Sequence, residues 1–194
     1  MRPLPISIKP QMHKLSHQVA GEWVPHAYPP NFSLASKDNA NPKIVAGVPG
    51  GDPTLFARLV ECLEPPYFLL YVLHTPRGEA EAGRYQSPPV SGEQFREFVK
   101  EFGSYLSADS RFDIWAHSSA EQATVVWDRH NQIFAYGPME KFLSALRACG
   151  FSEGVVDVSF PHQHHYRQEC DEQAASVLDA FEWSYSPLRA EDEQ

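Results

Sequence analysis

The stretch "SFPHQHHYRQECD", residues 159 to 171, sets His162, His164 and His165 beside Glu169, Cys170 and Asp171. In an extended chain alternate side chains share a side, so His162 and His164 point together while His165 points away. Two imidazoles on one side can hold zinc or another divalent transition metal at ~2.0 to 2.1 Å, with the Glu169 carboxylate as third ligand and a position left for water. His165 and Cys170 are auxiliary donors, because imidazole neighbours can lower a thiol's pKa and a thiolate is a soft ligand. Water on such an ion loses its proton near neutral pH, and Asp171 is placed to relay that proton, so the chemistry this set implies is hydrolysis. The competing expectation is a polar connection in which Asp171 only caps a helix, since a short histidine-rich tract is a compositional signal.

The spacing of His162, His164 and Glu169 resembles the first metal motif of the cupins. Val156 and Ser176 stand where that motif has glycine, and no second histidine-bearing motif follows. The H-x-H-x-D-H pattern of the metallo-β-lactamase type is also absent, because His165, Tyr166 and Arg167 follow His164.

Two further sets carry chemistry by residue type. On a strand over 111–117, Asp113, Trp115 and His117 share one side, with Asp128 and His130 at the end of the next strand, so carboxylate and imidazole could pair as a general base. The alternative is a solvated sheet face. In the long segment "HTPRGEAEAGRYQSPPVSGE", Arg77, Arg84 and the free amides at a helix start on Ser91 could receive an anion. Neither GKS/T nor G-x-G-x-x-G occurs, which excludes the usual nucleotide-binding loops, and Ser118 and Ser119 lack the nucleophile elbow.

The elements that must position these groups are legible from periodicity and caps. Asp52 and Pro53 open a helix with Leu55, Phe56, Leu59 and Val60 on one face. "YFLLYVLHT" reads as a buried strand, and Ser91 with Gln94 forms a capping box before Phe95, Phe98, Val99 and Phe102. Residues 111–137 read as three antiparallel strands with a tight turn at His130 and Asn131. A third helix starts after Pro138 and stops at Gly150, "VVDVSF" reads as a strand, and a fourth helix follows Asp171. The expected fold is α+β: a mixed, largely antiparallel sheet of about five strands with about four helices packed on it.

Nine of the seventeen prolines fall before residue 54, which predicts an irregular N-terminal arm over 1–51, anchored by Trp23, Tyr28 and Phe32, ahead of a single domain over 52–189 and an acidic tail at 190–194. An ordered arm would bring His13, His17 or His26 to the body.

The formal charge of -9 is uneven: residues 1–50 carry five Lys/Arg against two Asp/Glu, and residues 51–194 carry eleven against twenty-three. An acidic body disfavours nucleic acid and suits a basic protein partner, so the first expectation is a non-enzymatic interaction domain of inhibitor or adaptor type, with a metal-dependent hydrolase or metal-binding protein as the alternative. Cys62, Cys149 and Cys170 form no CxxC pair, which points to a reducing compartment. No apolar run reaches signal-peptide or membrane-span length, so the expectation is a cytoplasmic protein without membrane contact.

Overall fold

The structure is a computed structural model and describes residues 12–35 and 42–192. Twelve strands run in the order β1 (Leu15–Val19), β2 (Glu22–Pro25), β3 (Asn31–Ala35), β4 (Lys43–Gly47), β5 (Tyr67–Leu73), β6 (Gly83–Gln86), β7 (Phe112–Ser118), β8 (Ala123–Trp127), β9 (Gln132–Tyr136), β10 (Ser152–Glu153), β11 (His162–His164) and β12 (Ser184–Ser186). Four α-helices are interleaved: α1 (Pro53–Glu61), α2 (Gly92–Ala108), α3 (Met139–Ala148) and α4 (Asp171–Asp179). Nine strands form one sheet in the order β10-β3-β4-β9-β8-β7-β5-β6-β12, and β11-β1-β2 form a second. Among the described residues only the β10 and β3 pair is parallel, so the mixed, largely antiparallel α+β class holds.

Local chemistry explains the helices. The Asp52 carboxylate accepts from the Thr54 amide, and Ser91 and Gln94 make both hydrogen bonds of a capping box. Inward side chains of the central strands meet the apolar helix faces, as where Trp127 meets Phe56 at 5.9 Å between ring centres. One contiguous core runs from Phe32 and Ile44 through Phe95 and Trp127 to Val177. β7 alternates buried Phe112, Ile114, Ala116 and Ser118 with half-buried Asp113, Trp115 and His117, so the opposite face of the large sheet carries no α-helix among the described residues.

Two expectations are corrected. The sheet has nine strands rather than five, and the N-terminal stretch is no irregular arm where it is described: β4 is an interior strand between β3 and β9. The prolines lie at or beyond the strand ends, with Pro25 closing β2, Pro29 and Pro30 preceding β3 and Pro42 preceding β4, where no ladder donor is lost. Of the three expected anchors Tyr28 and Phe32 are buried, whereas Trp23 is 48% exposed. Residues 1–11 and 36–41 of that stretch, and 193–194 of the acidic tail, lie outside the described residues. "VVDVSF" forms no strand; the histidine stretch after it does, as β11. Asp171 is the first residue of α4 and not its cap. No helix among the described residues is long and apolar enough to cross a membrane.

Candidate metal centre

The turn between β8 and β9 is built on Asp128. Its Oδ1 accepts the amide N–H of His130 at 3.0 Å and of Gln132 at 2.7 Å, while Asn131 takes a positive φ of 63. Its Oδ2 lies 3.0 Å from His130 Nδ1. An ionised carboxylate only accepts, so Nδ1 carries the proton and the Nε2 lone pair of His130 is available to a ligand.

β11 lies against this turn. His162 and His164 share one side of the strand, and register sets His162 opposite His17 and His164 opposite Leu15 on β1. His162 Nδ1 donates to the Phe160 carbonyl at 2.9 Å, which again frees Nε2. His164 Nδ1 is buried with no hydrogen-bond partner among the described residues. Burial first, then the neighbouring His130, Arg129, His162 and Lys14, pushes the His164 pKa down to about 3, so this ring is neutral at neutral pH.

His130, His162 and His164 each offer one nitrogen, all within 4.8 Å of one another. Their ring centres are 5.3, 4.8 and 5.3 Å apart. Imidazoles sharing one tetrahedral zinc, with Zn–N bonds of ~2.0 to 2.1 Å, have ring centres about 5 Å apart, and the spacing of these three rings matches that distance. The donor set is three imidazole nitrogens, which suits zinc, copper, nickel or iron(II). The carboxylate behind His130 and the carbonyl behind His162 are the outer partners that fix ring orientation in metal sites.

The small sheet has a second group of imidazoles beside this trio. His17 and His26 stand 4.9 Å apart between ring centres, with Phe160 4.5 Å from His26. His17 Nδ1 and both nitrogens of His26 are buried with no partners among the described residues. Burial, with His17 and His162 adding to it, lowers the His26 pKa to about 4. Tyr28 packs on His26 and lies across Gly47, where any Cβ would collide with the Tyr28 side chain.

The remaining sequence candidates are placed elsewhere. Glu169 is exposed in a 3-10 turn outside the trio. His165 faces the other side and shares a proton with Ser16 Oγ at 2.7 Å. Cys170 is fully buried in the core, and burial holds its thiol up at about 11, far from a thiolate. Asp171 Oδ1 accepts from Arg111 Nη2 and Arg77 Nε, both at 2.9 Å, and belongs to a network in which fully buried Arg111 also holds Asp109 and Glu79. Arg84 pairs with Asp192, and the Ser91 hydroxyl caps α2, so the three anion candidates are each engaged separately. His117 Nδ1 pairs with Thr124 Oγ1 at 3.0 Å. Asp113 pairs with His74 at 3.0 Å and accepts the Arg129 amide at 2.8 Å, one residue from His130.

Compared with models of known protein families, with curated proteins and with solved structures, the chain matches none of them. The site must therefore be read from its own geometry.

Sequence reasoning pairs His162 with His164 and notes Asp128 beside His130. It does not join the two groups, because that contact depends on where β11 docks.

Proposed function

We propose that this protein binds a divalent transition metal, zinc in the first instance, through His130, His162 and His164, and uses it in a hydrolytic reaction. The observation that carries this reading is the convergence of three imidazoles, two of them oriented through Nδ1 by Asp128 and by the Phe160 carbonyl. A bound ion would supply a water acidic enough to lose its proton near neutral pH. His130, Asp128 and Asp113 line one cleft of about 580 Å³, within the usual range for small-molecule sites. Asp113, steadied by His74 and the Arg129 amide, is the group assigned to accept the proton. The reading as an acidic partner-binding domain rests on charge alone.

The test is elemental analysis of untagged protein after zinc loading and dialysis. One zinc per chain is expected, with loss in each of His130→Ala, His162→Ala and His164→Ala and retention in Glu169→Ala. Zinc at background in the loaded parent, or retained in all three histidine variants, removes the proposal.

A further inference from the structure

The face of the large sheet turned away from the four α-helices presents its side chains in rows fixed by register. Asp113 stands nearest the β8–β9 turn. The next row is Trp115 opposite Val126, and Val126 opposite Phe134. The row beyond is His117 opposite Thr124, and Thr124 opposite Tyr136. Ile44 pairs with Ala135, so Lys43 stands beside Tyr136 in that last row. Successive rows are two residues, about 6.6 Å, apart, which sets Lys43 and Tyr136 about 13 Å beyond the row of Asp113 and Gln132.

The cleft crosses all of these rows, from Asp128 and His130 past Trp115, Val126 and Phe134 to Tyr136 and Lys43. Its character changes along that path. The carboxylates that line it already face partners: Asp113 with His74, Asp128 with His130, Asp192 with Arg84, and Glu191 with Arg189 at 3.6 Å. Lys43 differs, because its Nζ lies over the rings of Phe134 at 4.6 Å and Tyr136 at 5.8 Å, and no carboxylate pairs with it among the described residues. Midway, Trp115 lines the cleft and its Nε1 is buried with no acceptor among the described residues, so an oxygen brought by an occupant would satisfy an otherwise unpaired donor.

We propose that the cleft binds an elongated amphipathic organic anion. Its acidic group pairs with Lys43, its apolar body lies over Val126 and Phe134, a carbonyl oxygen in the body accepts the Trp115 N–H, and its other end reaches His130, the member of the histidine trio that lines the cleft. Only the reacting end rests on the metal reading; Lys43 and Trp115 bind the anion whether or not an ion is present.

The test is calorimetric titration of the full chain, freed of metal by a chelator, with three probes: ε-benzamidocaproate, its methyl ester and N-benzoylcadaverine. The carboxylate is expected to bind at least about tenfold tighter than the neutral ester and the cationic amine, as a charge-assisted hydrogen bond implies. Lys43→Gln reduces it to the level of the ester, Lys43→Arg retains it, and Trp115→Phe weakens acid and ester together. Equal binding of the three probes, or undiminished carboxylate binding by Lys43→Gln, overturns the proposal. Because the titration is done without metal, failed zinc uptake in the separate elemental analysis removes the hydrolytic reading and leaves this result intact, and the converse also holds.

Discussion

His130 donates its Nδ1 proton to Asp128 Oδ2 at 3.0 Å, while the other oxygen of that carboxylate receives the amides of His130 and Gln132. One side chain thus shapes the turn and fixes the tautomer and direction of the imidazole that the turn presents. Asp128→Asn keeps an acceptor for the amides but loses the charge behind the ring. Zinc affinity should fall by roughly 10- to 100-fold with the circular dichroism unchanged. Competition against a chromophoric chelator measures this, and an affinity equal to the parent's would detach Asp128 from the site.

Lys14 is fully buried, with its Nζ 4.3 Å from the centre of the Trp127 ring and 4.8 Å from that of Phe112. Burial lowers its pKa to about 8, against the opposing pull of Asp128, Asp113 and Asp109. The sign follows from proton counting. Between the folded value near 8 and the unfolded value of 10.5 the unfolded chain holds more protons, so this residue's penalty is complete below about pH 8 and fades as pH rises to 10.5. The gain across that window is of order 3 kcal/mol. Urea unfolding at pH 8 and at pH 10 should show the gap between Lys14→Met and the parent narrowing as pH rises; a gap independent of pH would refute the assignment.

Arg111 is buried against Asp109 and Glu79 and reaches Asp171 and the Arg167 carbonyl. Arg111→Leu strands the fully buried Asp109 carboxylate and should cost about 3 to 5 kcal/mol in chemical denaturation. Arg77→Ala, at the half-exposed edge of the same network, should cost less than about 1 kcal/mol. Comparable losses in the two variants would show that the network is not centred on Arg111.

The elements read correctly from sequence are those whose cause is local. α1 and α2 carry their caps in the chain itself, and the meander from β7 to β9 alternates visibly around a turn-forming Asn131. The early strands escape because composition counts prolines without their positions: Pro25, Pro29, Pro30 and Pro42 punctuate strands whose own sequences, such as "NFSLA" and "KIVAG", are short and apolar enough to pair. The site divides the same way. His162 and His164 belong together by strand period alone, and Asp128 with His130 by turn chemistry. Their meeting requires β11 to pair with β1, where His17 faces His162 across most of the chain's length, and no local pattern encodes such a contact.

That pairing sets a schedule for assembly. The β7 to β9 meander is contiguous in sequence and can close early, with His130 already held by Asp128, whereas His162 and His164 reach it only on a strand bonded to residues near the other end of the chain. Three imidazoles therefore face one another only once β11 has paired with β1. Metal uptake becomes a chemical mark of completed folding: a chain arrested with its large sheet formed and β11 not yet on β1 would have most of its secondary structure and little affinity for the ion.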